Sequence, residues 1–127
     1  MIKETIICIV IVIMIFTLDV CTQKYTEKSV ETMTKSLESI KTDVSNHNVE
    51  VAKEKIIELD KNWHNMHDKL AYYIEHDELE KLEIQLISIR ANINVEDYDR
   101  CIEELEKCKF MLEHIKDKDA LQLVNIF

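Results

Sequence analysis

The sequence predicts an all-α protein: an N-terminal membrane anchor helix followed by an antiparallel bundle of three or four helices. Three observations predict it. The 127-residue chain contains neither glycine nor proline. It carries a run of apolar residues near its N-terminus. The rest repeats its apolar residues every three and four positions, the period of a helix that buries one face. Without glycine, tight hairpin turns are poorly served, so an all-β fold is disfavoured. The phosphate-cradling loops of nucleotide-binding folds, which need glycine for close backbone approach, are excluded. Leu, Ile, Glu, Lys and Asp without helix breakers read as long helices joined by short polar turns.

The first element is the run 6–18, Ile-Ile-Cys-Ile-Val-Ile-Val-Ile-Met-Ile-Phe-Thr-Leu. It is long for the apolar part of a signal peptide and short for a complete span. A cleaved signal peptide wants small residues at its cleavage site, which Thr17-Leu18-Asp19-Val20-Cys21 lacks. Lipidation of Cys21 fits Leu18 but not Asp19 and Val20. An uncleaved signal anchor is favoured, embedded through residues 5–21. Domains are therefore expected at 1–21 (anchor) and 22–127 (bundle). Lys3 and the amino terminus nearly balance Lys24 and Lys28 under the positive-inside rule. The signal-like position favours a cytoplasmic N-terminus, which puts the protein in the cell membrane as a single-pass chain with its body outside.

The second element is a helix over 22–44, with Val30, Met33, Leu37, Ile40 and Val44 on one stripe. Thr22–Ser29 has little apolar content and reads as a solvated stalk. Ser45-Asn46-His47-Asn48 is a turn whose Ser and Asn suit helix capping. The longest stripe follows: Val49, Ala52, Ile56, Leu59, Trp63, Met66, Leu70, Tyr73. At Glu75–Glu78 the register slips by two residues and resumes as Leu79, Leu82, Leu86, Ile89, Ile93. Either the helix is broken or kinked near His76, or it runs straight and turns different faces to different partners. Asp77-x-x-Glu80 resembles a capping box and tips the reading towards a break. Asn92-Ile93-Asn94 is a further turn, with Asn94 expected to cap a helix striped by Tyr98, Cys101, Leu105, Cys108, Leu112 and Ile115. The apolar tail, Ala120–Phe127, is expected to dock on the bundle, since disordered termini seldom carry such hydrophobic weight.

Charge excludes one class of function. The formal net charge is -9; Lys3, Glu4 and Asp19 account for one of those charges, leaving eight on residues 24–127. Such a body repels phosphate backbones, so no nucleic-acid partner is expected. The four cysteines do not form a disulfide framework. Cys101 and Cys108 are separated by about 10 Å of helix rise, beyond disulfide reach. They read as buried thiols, and the nearby Asp97 and Glu104 would raise a thiol pKa and not lower it. Cys21 leaves an intermolecular bridge open.

His64 and His67, with Asp60, share a helix face that could hold a divalent metal; the competing reading is a pair of solvated or stripe-edge histidines. His76 sits at the register slip, as a helix-end hydrogen-bonder or a pH-responsive group. Trp63 reads as a core anchor, with a partner-facing hot spot as the alternative. No nucleophile with a paired base is evident, so the chain is read as a non-enzyme without a cofactor, binding another protein; its oligomeric state is left open. A metal- or ligand-sensing bundle using His64, His67 and His76 is the alternative function.

The order of features is itself specific: a short anchor, Trp63 in a long amphipathic helix, His76-Asp77-Glu78-Leu79 about a dozen residues later, and a close on Asn125-Ile126-Phe127. In this the chain resembles the bacterial domain-of-unknown-function family 4363, small single-pass proteins of clostridia and their relatives. The resemblance implies Trp63, His76, Leu79, Asn125, Ile126 and Phe127 as motif residues. It also implies a membrane-anchored helical protein whose tail belongs to the fold, and no assigned reaction.

Overall fold

The structure, a computed structural model, describes residues 1–126, with side chains as far as residue 121. Four helices follow one another: α1 Ile2–Ser45, α2 Val49–Leu70, α3 His76–Asn94 and α4 Tyr98–Ile126. No strand is present among the described residues. Loops of three, five and three residues leave no room for crossovers, so neighbouring helices run antiparallel. α1 packs on α2 and α4, and α3 on α2 and α4, giving a square bundle without diagonal contacts among the described residues.

The stripes meet as the period requires. Val30, Met33, Leu37, Ile40 and Val44 of α1 join Ala52, Ile56, Leu59, Trp63 and Leu70 of α2, Leu79, Leu82, Leu86, Ile89 and Ile93 of α3, and Cys101, Leu105, Cys108, Leu112 and Ile115 of α4 in one buried cluster. Trp63 is 0% exposed. Each fully buried aliphatic chain is worth about 1.5–3 kcal/mol of apolar transfer, so this cluster is the main source of stability.

α1 is continuous through residues 21 and 22, so the apolar run and the first bundle helix are one 44-residue rod. It is long and apolar enough to cross a membrane: its most apolar 18 residues have a mean hydropathy of 2.6, and none is buried against the bundle. Thr5 donates to the Met1 carbonyl at 2.9 Å and Thr17 to the Ile13 carbonyl at 2.8 Å. Both hydroxyls, one just before the run and one near its end, are thereby satisfied within the helix. The apolar run emerges at what is here called the near end of the bundle; the opposite end is the far end.

Three expectations are corrected, and the break favoured at the register slip is found. The expected stalk is part of the bundle: Thr26 and Ser29 are buried. Thr26 falls one step before Val30 in the α1 stripe, so position outweighs polarity. At the register slip the chain breaks outright, with Ala71–Glu75 as a loop between antiparallel helices. The two-residue phase difference between stripes carries no strain, because separate helices set their phases independently. Asp77 does not cap α3; Glu75 precedes the helix and accepts from Glu78 and Leu79 through its carbonyl at 3.1 and 3.3 Å. Asn94 ends α3 instead of capping α4, and Asp97 is the cap, its Oδ1 accepting from the Arg100 N–H at 3.2 Å.

Both far-end turns use the same device. Asn48 N–H bonds the Asp43 carbonyl at 2.8 Å and His47 N–H the Val44 carbonyl at 3.1 Å. Asp97 bonds Asn92 at 3.0 Å and Glu96 bonds Ile93 at 3.2 Å in the same pattern. These are Schellman motifs, which place the residue after the cap in the left-handed region. Without glycine to do this, His47 takes φ 63° and Glu96 φ 62°.

Candidate functional site

Among the described residues, a cluster of polar side chains at the near end joins α1, the α2–α3 loop and α4. α1 contributes Asp19, Thr22 and Thr26; the α2–α3 loop contributes Tyr73; α4 contributes Lys118 and Asp119. The antiparallel pairing of α1 with α4 sets this meeting. Lys41 pairs with Glu106 and Glu38 with Lys109, each at 2.7 Å. The same register brings Asp119 beside Thr26.

Tyr73 closes the α2 stripe just after the helix ends, and its ring is half-buried in the core. Its hydroxyl lies 2.7 Å from Thr26 Oγ1 and donates to the Thr22 carbonyl at 3.1 Å. Thr26 also lies 3.0 Å from that carbonyl. Burial pushes the Tyr73 phenol above its ordinary range, so it stays a neutral donor. Burial likewise pushes the Asp119 carboxyl up; a hydrogen bond from Thr26 offsets part of this, while Asp19 and Glu27 push it further. The Oδ2 atoms of Asp19 and Asp119 are sealed from solvent without a hydrogen-bond partner. At Asp119, whose carboxyl burial already raises, an oxygen without a donor favours the protonated form. Lys118 reaches Glu75 at 3.2 Å and Glu78 at 3.5 Å, clamping the start of α3 to α4. Tyr73, Ile74, Glu75, Glu78, Ile115, Lys118 and Asp119 line a small cleft here. The hydrogen bonds of Tyr73 and the ion pairs of Lys118 tie α1, the loop and α4 together.

The residues singled out from sequence are dispersed. Asp60 is paired with Arg90 of α3 at 2.8 Å. His64 is exposed. His67 packs edge-on to Trp63, ring centroids 5.5 Å apart, and lies 3.7 Å from Asp68. His76 is exposed at the start of α3, 3.8 Å from Glu80. The structure therefore does not bring His64, His67 and His76 together. Among the described residues no three His, Cys, Asp or Glu side chains are placed to hold a metal ion. Trp63 and Leu79 are core residues, both 0% exposed; Trp63 Nε1 has no hydrogen-bond partner. The side chains of Asn125 and Ile126, all of Phe127, and the docking of the tail lie outside the described residues.

Cys101 and Cys108 are free and buried. Burial, then Asp97 and Glu104, push the Cys101 thiol up to about 11. Burial pushes Cys108 up to about 12. Both are thiols at neutral pH, and Cys101 Sγ–H points at the Ile89 carbonyl at 3.9 Å.

Comparison with known protein families matches residues 20–126 to the family described as Domain of unknown function (DUF4363). The chain belongs to that family. The match begins at residue 20, so the DUF4363 region takes in the near-end cluster from Thr22 to Asp119 as well as the core. No curated protein and no solved structure matches the chain.

Sequence reading missed Thr26, Tyr73 and Asp119 as a group. One signal was present: Thr26, Val30, Met33, Leu37, Ile40 and Val44 keep the three-four spacing, which marks Thr26 as inward-facing. Asp119 carries the same signal, four residues after Ile115 in the α4 stripe, but what it meets there comes from α1 and was not legible in the sequence.

Proposed function

We propose that this protein is a membrane-tethered helical-bundle module of the cell envelope, with α1 spanning the membrane from a cytoplasmic N-terminus. Its work is to bind another protein or to build structure, and it is not an enzyme. One observation carries the reading. The fully exposed apolar stretch of α1 and its fully packed stretch belong to one uninterrupted helix. A stretch exposing Ile and Val on every side is stable in lipid and costly in water. A rigid continuation into the bundle transmits position from the bilayer to the body. The raised thiol pKa values of Cys101 and Cys108 support a structural role for these side chains over a nucleophilic one. Ile57, Ile84, Ile87 and Phe110 are exposed on the outer faces of α2, α3 and α4 and offer apolar contact area to a partner.

Carbonate washing of membranes tests the tether. The full chain is expected in the pellet, and Val10→Lys with Ile13→Lys is expected to release it; a full chain found in the wash overturns the tether. Orientation is read by labelling His47→Cys with an impermeant thiol reagent in intact cells, since Cys101 is buried. Labelling only after lysis reverses the topology. Photo-crosslinking from Ile84 and Phe110 reads the partner: a discrete crosslinked protein is expected, and unmodified chain alone counts against an interaction role.

A further inference from the structure

The geometry points to a second contact with the same membrane: the near end of the bundle rests in the lipid headgroup layer through Tyr72 and Leu121. This rests on the membrane-tether reading above and extends it from the helix to the body.

Three observations converge. The first is the shortness of the apolar run. Residues 6–18 supply about 20 Å of helix at 1.5 Å per residue, whereas a hydrocarbon core is about 30 Å thick. A short span draws its flanking polar residues towards the lipid. The second is the closeness of the bundle. The Thr22 carbonyl lies only four residues, about 6 Å of rise, beyond Leu18, and Tyr73 of the α2–α3 loop is hydrogen-bonded to it. The headgroup region is itself about 5–7 Å deep on each side. The loop therefore lies within that layer, with no stalk between. The third is what this end exposes. Tyr72, at the tip of the loop, is 90% exposed, and Leu121, two residues past Asp119 on α4, is 60% exposed. An amphipathic ring and an aliphatic chain suit the membrane–water interface, where tyrosine is enriched. In water the same exposure has no compensation.

The attraction is apolar and interfacial. The body is acidic, and Asp68, Glu75 and Asp77 lie exposed near the loop, so anionic lipid adds nothing to it. Lys69 sits 5.5 Å above the Tyr25 ring, part of the same end. The occupant is thus the bilayer that α1 already crosses, continuous with that contact.

The test uses the full chain in phosphatidylcholine nanodiscs with single spin labels. Cys8→Ala and Cys21→Ser remove the exposed thiols, while the buried Cys101 and Cys108 stay. Labels go at Val12→Cys in the span, Ala71→Cys beside Tyr72, and His47→Cys and Glu96→Cys at the far end. Position 71 is expected to be shielded from a water-soluble relaxant and relaxed by a headgroup-level lipid probe, several-fold more than positions 47 and 96. Tyr72→Asp with Leu121→Asp is expected to return position 71 to the water-exposed level. Position 71 as exposed to water as position 47, with position 12 deep in lipid, overturns the inference and leaves the tether intact. Shielding that survives the double substitution overturns the role of Tyr72 and Leu121. Position 12 found in water removes the tether and this contact together.

Discussion

The two ends of the bundle solve one problem, turning a helix back on itself, by different means. At the far end both turns are made by the backbone: two three-residue loops, each a Schellman motif, with His47 and Glu96 in the left-handed region. At the near end a five-residue loop starts on backbone bonds from Tyr73 and Ile74 to the Leu70 carbonyl and is then held to other elements by side chains: Tyr73 on Thr22 and Thr26, and Lys118 on Glu75 and Glu78. The far end is autonomous, since each turn satisfies itself within one connection. The near end is cooperative, since the loop, α1 and α4 must all be in place. That is the end from which the apolar part of α1 leaves.

The comparison can be broken or sharpened by substitution, with unfolding followed through Trp63 fluorescence in detergent. The largest effects are expected in the core, where the ends should not differ. Leu79→Ala near one end of α3 and Ile93→Ala at the other are each expected to cost about 2–5 kcal/mol, since both are fully buried in one cluster. A cost confined to one of them would split the core into two units. Next is Tyr73→Phe, which removes the loop's hydroxyl and is expected to cost about 1–2 kcal/mol. If the near end is cooperative, Thr26→Val in that background adds less than it does alone, and full additivity in the double-mutant cycle would show the two hydroxyls to be independent.

A gain is expected at the far end. His47→Gly and Glu96→Gly relieve a left-handed conformation that costs non-glycine residues about 1 kcal/mol, offset in part by the greater freedom of glycine in the unfolded chain. Each should raise stability by a few tenths to about 1 kcal/mol, and the two should add because the turns are separate. A loss at either position would mean that its side chain contributes more than its backbone costs.

The smallest effect is a pH dependence at the near end. Burial raises the folded Asp119 carboxyl above its ordinary value, so the folded state holds this proton more tightly than the unfolded chain. Stability from this group is present at low pH and is lost as pH climbs from about 4 through the raised folded value. Asp119→Asn is expected to flatten that slope and to exceed the natural protein in stability above the window, matching it below. A variant whose pH profile is unchanged would place the proton elsewhere.

Much of this architecture was legible in the sequence alone. The absence of glycine and proline, the apolar run and the three-four stripes determined helices, their inward faces and the burial of Trp63, because helical periodicity is a local property and burial follows it. Cys101 and Cys108 were legible as free thiols for the same reason: helix rise separates them. Tertiary structure decided what depends on neighbours distant in sequence. It made the register slip a loop, Ala71–Glu75, and not a bend, because α3 buries its stripe only by turning back along α2. It took Asp60 away from His64 and His67 by setting Arg90 against it. It turned Thr22–Ser29 from stalk into bundle, because α4 is long enough to run beside it, and it half-buried Asp119 against α1. Periodicity says which face turns inward. Only packing says which partner waits there, and at the near end those partners tie the bundle to the foot of the helix that carries it.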